Sequence, residues 1–240
     1  MYADFARVYD KLQPDSEYEK FADYIEYIFE KFNKSPQLVL DLACGTGRLT
    51  SLLAERGYDM IGIDISDAAL NIARERVPQE TLLLQQDMMN FELYGTVDAI
   101  VCCFDSINYI TDLQDVKRCF ELCKNYLNPG GLLIFDINTP YKFEEILAEN
   151  TFVYDFEDIF CVWENNYQYE ENEFHLTFFE KSGEKYEKFE ETHVQKCYKI
   201  KEIEKALKEI GLSLNACYHE FSDVLPRVDS ERIFFVCENI

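Results

Sequence analysis

The sequence predicts an α/β fold, in which helices cover both faces of a mostly parallel, doubly wound sheet. Two short apolar runs, 38–42 and 60–63, flank a segment whose leucines recur at helical spacing. Further runs of strand length alternate with helical patterns as far as residue 137. Period-two alternation in 151–196 predicts an antiparallel β insertion into this α/β chain.

The turn after the first strand has the features of a nucleotide site. Gly45 and Gly47 follow the strand at once, and glycines let the backbone take positive φ and let a ligand approach closely. The following helix presents unpaired N–H groups and a positive dipole end, which favours a nearby anion by ~0.3–1 kcal/mol. Asp64 ends the second strand, where a carboxylate can accept both hydroxyls of a ribose. The alternative is a structural βαβ unit with a solvated Asp64.

The residues of this turn distinguish between classes of nucleotide. A dinucleotide fingerprint would need a third glycine where Thr50 stands. Residues 41–47, Asp-Leu-Ala-Cys-Gly-Thr-Gly, instead resemble motif I of the class I S-adenosylmethionine-dependent methyltransferases, D/E-x-G-x-G-x-G. The resemblance implies a seven-stranded, Rossmann-like methyltransferase fold with S-adenosylmethionine as cofactor. The motif residues that it places against the cofactor are Asp41, Ala43 (in place of the first glycine), Gly45 and Gly47.

Three aspartates recur at a constant interval, because Asp64 stands 23 residues after Asp41 and Asp87 stands 23 residues after Asp64. All three are therefore expected at the carboxyl edge of the sheet, where ligands bind. The resemblance implies that Asp87 accepts from the adenine amino group and that the Met88 backbone contacts the ring. The alternative for Asp87 is a turn cap. Two further residues are placed on the cofactor by the same resemblance: Ile65 and Cys103.

The stretch after the fourth predicted strand is polar and aromatic. In the family this stretch lines the place where the cofactor sulfur and the acceptor meet. It lacks the N-P-P-Y or D-P-P-Y signature of enzymes that methylate planar bases or glutamine amides, which argues against a base-modifying enzyme. The alternative is that Asp105 and Ser106 only cap a turn. Together with Trp163, the residues assigned to the acceptor are Asp105, Asn108 and Tyr109.

Residues 151–196 differ from the rest of the chain, since 12 of these 46 residues are aromatic and their net charge is −8. Asn165-Asn166 and Ser182-Gly183 are the predicted turns of antiparallel hairpins. We predict that this segment is an insertion over the active site. Residues 1–150 and 197–240 are then the cofactor-binding methyltransferase core.

The two ends of the chain complete that core. A capping box at Ser16 is expected to start a helix that runs to about Phe32. The preceding Tyr9-Asp10-x-Leu12 pattern is similar to the N-terminal helical lid that covers the cofactor in the family, and the alternative is an aromatic staple on the sheet. At the other end, residues 212–219 and 232–236 predict two mutually antiparallel strands, with one antiparallel strand at the sheet edge.

Bulk composition restricts the partners. Lys+Arg number 23 and Asp+Glu 46, and a net charge of −23 repels phosphate backbones, which argues against nucleic acid. The nine cysteines lack a C-x-x-C pair, no signal peptide opens the chain, and no apolar run approaches the ~20 residues of a membrane helix. We therefore predict a reduced, soluble, cytoplasmic protein with no membrane partner. With three histidines no metal site is expected, and Cys119 and Cys123 are predicted to be buried thiols.

These observations predict methyl transfer to a nitrogen or oxygen of a small molecule by in-line displacement. Aromatic faces beside carboxylates favour a cationic or amine-bearing acceptor. The chain looks like the bacterial small-molecule group that includes amino-sugar N-methyltransferases. If the acceptor must lose a proton, the candidate bases are Tyr9, Asp105 and His193. The alternative for Trp163 is sheet core, and for His193 a surface strand position.

Three other functions stay open at this point. The same chemistry could act on RNA or protein. The chain could hold S-adenosylmethionine without transferring its methyl group, since no catalytic side chain is obligatory. An NAD-dependent oxidoreductase on the same half-fold is disfavoured by the missing third glycine.

Overall fold

The structure is a computed structural model that describes residue 8 and residues 15–240, and the account below concerns those residues. The Tyr9 lid and Tyr9 as a candidate base lie outside the described residues, as does the side chain of Ser16. Within the described part, no helix is both long and apolar enough to cross a membrane.

Helices and strands alternate along the first two thirds of the chain, as the sequence predicts. A 3₁₀ turn lies at Ser106–Tyr109 and a π-helical turn at Lys142–Leu147. The other elements, in chain order, are α1 (Asp15–Lys31), β1 (Leu38–Leu42), α2 (Arg48–Glu55), β2 (Asp59–Asp64), α3 (Asp67–Arg76), β3 (Leu82–Gln85), β4 (Val97–Cys102), α4 (Leu113–Tyr126), β5 (Leu127–Asn138), β6 (Thr151–Asp155), β7 (Ile159–Gln168), β8 (Glu171–Ser182), β9 (Lys185–Lys196), α5 (Ile200–Ile210), β10 (Ser213–His219) and β11 (Arg232–Glu238).

A seven-stranded sheet in the order β10-β11-β5-β4-β1-β2-β3 forms the centre of the molecule. Strands β1 to β5 pair in parallel, so their carboxyl ends meet at one edge. The predicted doubly wound α/β sheet is confirmed. The antiparallel strand was expected at the edge of the sheet, and this is wrong. The antiparallel strand is β11, which lies one place inside the edge, between β5 and the edge strand β10.

Apolar side chains on the two faces of this sheet build two separate cores. Alternation along β1 sends Leu40 and Leu42 to one face and Val39 to the other. Helices α4 and α5 cover the first face, and α1 and α2 cover the second. Cys119 and Cys123 are buried free thiols in the first core, as predicted.

The segment 151–196 forms a second, antiparallel sheet in the order β6-β7-β8-β9. The predicted turn at Gly183 is confirmed, with a φ of 64°. The predicted turn at Asn165-Asn166 is wrong, since both residues lie inside β7. The strand instead turns at Tyr169 and Glu170, whose positive φ values of 55° and 61° suit a two-residue hairpin. Asn165 stays in the strand because its amide is used internally, accepting from Trp163 Nε1 at 3.0 Å.

Candidate functional site

The turn after β1 uses its small residues for different purposes. Gly47, with a φ of 74°, faces α3, and an added Cβ would lie 2.9 Å from the Ala73 Cβ. Gly45, with a φ of 54°, faces open space, since an added Cβ would meet no atom within 4 Å. Ala43 also takes a positive φ, 63°, at the position where the family motif has its first glycine. Gly47 therefore serves helix packing, whereas Gly45 leaves backbone open to a ligand.

A cavity of about 220 Å³ opens beside this turn at the carboxyl edge of the sheet. Most of the predicted cofactor residues are brought together there, whereas Gly47 and Asp87 line no part of it. The predicted residues that line it are Asp41, Ala43, Gly45, Asp64, Ile65, Met88 and Cys103. Ile65 is 58% exposed, so this cavity carries an apolar side chain that the fold itself does not cover.

Asp64 fastens the glycine turn to the end of β2. Its Oδ2 accepts from the Gly45 N–H and its Oδ1 from the Ser66 N–H, both at 2.8 Å. Burial raises the pKa of Asp64, and backbone N–H groups, first those of Ser66 and Gly45 and then that of Ile65, oppose that rise. A carboxylate offers about four lone-pair sites, so Asp64 keeps capacity for two hydroxyl groups.

Asp41 lies deeper and is nearly inaccessible, at 2% exposure. Its Oδ2 accepts from the Thr50 hydroxyl at 2.5 Å. Burial raises the pKa of Asp41 to about 7, against the opposing effect of the Thr50 hydrogen bond. Asp41 therefore holds the helix α2 start against the end of β1 while titrating near neutrality.

The Asp41→Asn variant is expected to flatten the dependence of stability on pH. The folded-state pKa of Asp41, about 7, is above its ordinary value of 3.8. Between these two pH values the native state keeps a proton that the unfolded state has lost, so the free energy of unfolding falls as the pH rises towards about 7. Between pH 5 and pH 7 we expect the variant to gain about 2 kcal/mol of unfolding free energy relative to the wild type. Urea unfolding at both pH values measures this, and parallel pH curves for the two proteins would contradict it.

One carboxylate oxygen of Asp87 caps a turn, which is the alternative role considered for this residue. Its Oδ1 accepts from the Met89 N–H at 2.9 Å, which caps the turn after β3. The next residue, Met88, reaches the cavity. The constant spacing of the three aspartates thus leads to one edge of the sheet, but only Asp41 and Asp64 face the cavity.

The loop after β4 separates this cavity from a second one. Phe104 and Asp105 have positive φ values of 58° and 51°, an uncommon backbone for such residues that concentrates at functional sites. Stacking of the Phe104 ring on Phe21, at 4.0 Å between centroids, helps to hold this conformation. Phe104, Tyr109 and His193 line both cavities.

The second cavity has a volume of about 210 Å³ and lies between that loop and the antiparallel sheet. Aromatic side chains from the antiparallel sheet form one wall: Tyr154, Trp163 and Phe174. Polar side chains line the remainder, and the sequence pattern indicated only Asp105 and His193 among them. Those that sequence reasoning missed are Glu17, Asn138, Lys142, Gln195 and Arg232.

Arg232 joins two carboxylates at this cavity. Its guanidinium donates to the buried Asp136 and, at 2.9 Å, to Asp105 Oδ1. Gln195 Nε2 donates to the other Asp105 oxygen at 2.6 Å. The aromatic wall is present, but Asp105 is neutralised by an arginine from a distant strand.

The other predicted acceptor residues differ in their positions. Asn108 is fully buried and lines neither cavity, because its amide bridges Lys196 O and Asn138 N at 2.8 and 2.9 Å. Trp163 both packs in the sheet core, against Phe174, and lines the second cavity.

His193 contradicts the surface alternative, since it is 4% exposed and stands edge-on to Tyr109 at 5.9 Å. Burial lowers the pKa of His193 to about 4, so the imidazole is neutral at pH 7.

Comparison with known proteins gives three informative likenesses. Residues 39–131 match the family model of a methyltransferase domain. The chain is 37% identical over 240 residues to the putative methyltransferase YqeM of Bacillus subtilis (strain 168), covering 98% of this chain and 96% of that protein. It is 30% identical over 148 residues, 61% of each chain, to a dTDP-3-amino-3,4,6-trideoxy-alpha-D-glucopyranose N,N-dimethyltransferase of Streptomyces venezuelae.

A solved structure extends the likeness to the whole fold. It is the crystal structure of an S-adenosylmethionine-dependent methyltransferase from Clostridium acetobutylicum ATCC 824. The two share 34% sequence identity and a TM-score of 0.89, over 99% of this chain and 98% of that one.

Proposed function

Because this chain belongs to the family of S-adenosylmethionine-dependent methyltransferases, we propose that it methylates a nitrogen or oxygen atom of a small molecule. The observation that carries this proposal is the pair of cavities with a common wall of Phe104, Tyr109 and His193. Transfer by in-line displacement needs the donor and acceptor on opposite sides of the moving carbon, and two adjoining cavities allow that alignment. We assign the first cavity to the cofactor and the second to the acceptor.

The first cavity fits an adenosyl group. The open space at Gly45 accommodates close approach to the backbone, and Asp64 has lone pairs left for ribose hydroxyls. Ile65 and Met88 offer apolar contact to an adenine ring. For Asp87 to bind the adenine amino group it would have to use Oδ2, since Oδ1 accepts from Met89. When bound, S-adenosylmethionine supplies a methyl group on a sulfonium sulfur, an activated carbon that needs no covalent enzyme nucleophile.

The limited volume of the second cavity supports a small acceptor. A space of about 210 Å³ walled by Trp163 and Phe174 suits a compact group rather than a polymer segment. The net charge of −23 also argues against RNA. A relative named as an amino-sugar N,N-dimethyltransferase supports nitrogen as one possible site of transfer.

His193 is proposed as the residue that positions the acceptor nucleophile by accepting a hydrogen bond from it. It lies in the common wall, and a neutral imidazole has one nitrogen that accepts a hydrogen bond. The His193→Phe variant should lower kcat for methyl transfer by roughly 100-fold while S-adenosylhomocysteine binding is unchanged. His175, on the neighbouring strand and facing Thr192, supplies the control His175→Phe, which should keep full activity. An unaltered kcat in His193→Phe would rule out this role.

The proposal is tested by incubating the protein with methyl-labelled S-adenosylmethionine and a cell extract divided into small-molecule, RNA and protein fractions. We expect label in the small-molecule fraction, where mass spectrometry then identifies the N- or O-methylated product. Label in RNA or protein would contradict the acceptor class. No label in any fraction, from protein that binds S-adenosylhomocysteine, would favour a binding module instead.

A further inference from the structure

We propose that the acceptor carries a carboxylate and that Lys142 binds it in the second cavity. The inference rests on the proposed function, because it takes the second cavity as the acceptor site. The acceptor would then be a compact carboxylic acid whose amine or hydroxyl group faces Tyr109 and His193, with its apolar part against the aromatic wall.

Lys142 differs from Arg232, the other cation of this cavity, in having no carboxylate in direct contact with its charged group. Its Nζ donates to the amide oxygen of Asn138 at 3.0 Å. Among the described residues, no carboxylate oxygen lies within 4 Å of that nitrogen, whereas Arg232 has both Asp105 and Asp136. A partly buried ammonium group with no carboxylate in direct contact is incompletely compensated, so an anionic group of a ligand would be stabilised at Lys142.

The surroundings of Lys142 show how this charge is kept in place. The residue lies in the π-helical turn that follows β5, and π-helical turns are often found at functional sites. Asn138, the acceptor of its hydrogen bond, is itself buried and held by Asn108 and Gln195. Burial, and then Arg232, lowers the pKa of Lys142 against the opposing effect of Asp105, Glu231 and Asp136, and a bound anion would oppose the lowering further.

The balance of charge favours a carboxylate over a phosphate. Two cations, Lys142 and Arg232, and two carboxylates, Glu17 and Asp105, line the cavity, and Arg232 is also paired with the buried Asp136, so the site has no surplus of positive charge. A singly charged group can be paired by Lys142 alone. A doubly charged phosphate would bring a second negative charge towards Asp105 with no cation left to balance it.

The aromatic wall suits the apolar part of such a molecule. Tyr154, Trp163, Phe174 and Leu176 line the cavity beside the polar groups. Trp163 is the only tryptophan of the chain. Its fluorescence can be excited selectively over that of phenyl compounds and therefore reports on binding in this cavity.

The test measures quenching of Trp163 by four phenyl probes, with S-adenosylhomocysteine bound to the full-length protein. Phenylacetate should bind at least about tenfold more tightly than phenylacetamide, its neutral isostere, because a hydrogen bond between charged groups is lost in the amide. Phenyl phosphate and phenethylamine should both bind more weakly than phenylacetate. Equal affinities for phenylacetate and phenylacetamide, no quenching by phenylacetate, or tighter binding of the phosphate or the amine would each overturn the inference.

Substitutions identify the residue responsible. Lys142→Met should raise the Kd for phenylacetate at least about tenfold and leave that for phenylacetamide unchanged, while Lys142→Arg should keep most of the discrimination. Lys185→Met, at an exposed lysine of the β8–β9 hairpin, is the control and should behave as wild type. If Lys142→Met still binds phenylacetate more tightly than phenylacetamide, Lys142 is not the residue that binds the carboxylate.

Calorimetry with S-adenosylhomocysteine distinguishes failure of the proposed function from failure of the inference about Lys142. Its Kd should be the same in the wild type and in Lys142→Met. If the wild type does not bind S-adenosylhomocysteine, the proposed function itself is contradicted. Normal binding with no preference for the carboxylate probe would remove only the inference about Lys142.

Discussion

The Asp64→Ala variant is expected to bind S-adenosylhomocysteine at least about 100-fold more weakly than the wild type. In the proposed complex this carboxylate accepts the hydroxyls of the ribose, and each hydrogen bond to a charged group contributes about 1.5–3 kcal/mol. The variant also loses the acceptor that holds the Gly45 N–H at 2.8 Å, so the turn becomes less ordered for binding. Isothermal titration calorimetry measures the change in Kd.

A matched variant separates loss of binding from loss of folding. Asp59 begins the same strand at its opposite end and is exposed, so Asp59→Ala should keep the wild-type Kd. Both variants should unfold in one cooperative transition on heating, because neither side chain belongs to an apolar core. Wild-type affinity in a folded Asp64→Ala protein would refute the assignment of Asp64 to the cofactor.

The Arg232→Met variant is expected to lose about 3–5 kcal/mol of unfolding free energy, since removing one partner leaves buried carboxylates uncompensated. Asp136 is fully buried, and its Oδ1 has no hydrogen-bond partner among the described residues, so Arg232 is its principal compensation. Urea denaturation at pH 8 measures the loss. Arg74→Met, at an exposed arginine of α3, should change stability by less than about 0.5 kcal/mol.

The loss should depend on pH in a defined direction. Burial already raises the pKa of Asp136, and removing Arg232 raises it further. A carboxyl whose folded-state pKa is above its unfolded value gives stability that is lost as pH rises through the folded-state pKa. The deficit of Arg232→Met should therefore be smaller at pH 5 than at pH 8, and Asp136→Asn in the same chain should restore part of it. A deficit that is independent of pH would contradict this explanation.

Local sequence predicted the first cavity because its parts lie close together in the chain. Asp41, Gly45 and Asp64 belong to one strand–turn–helix–strand unit, and parallel pairing of β1 with β2 brings them together without help from distant segments. The side chain of Asp87 does not line this cavity, although its spacing in the sequence predicted that it would. It instead accepts a hydrogen bond from the Met89 N–H in the turn after β3.

The second cavity could not be predicted in the same way, because its polar groups come from separate parts of the chain. Arg232 reaches Asp105 across 127 residues and Asp136 across 96. That juxtaposition depends on the antiparallel insertion of β11 beside β5, and no local pattern encodes it. Asn165 illustrates the same limit, since its turn propensity is overridden by the hydrogen bonds that its amide makes inside β7.

A crystal structure of the protein soaked with S-adenosylhomocysteine would show which of the two cavities holds the cofactor. We expect the ribose hydroxyls within hydrogen-bond distance of Asp64, the adenine beside Ile65 and Met88, and the thioether sulfur directed towards the wall of Phe104, Tyr109 and His193. Density for the nucleoside in the second cavity, or with its ribose away from Asp64, would contradict the assignment of the two cavities.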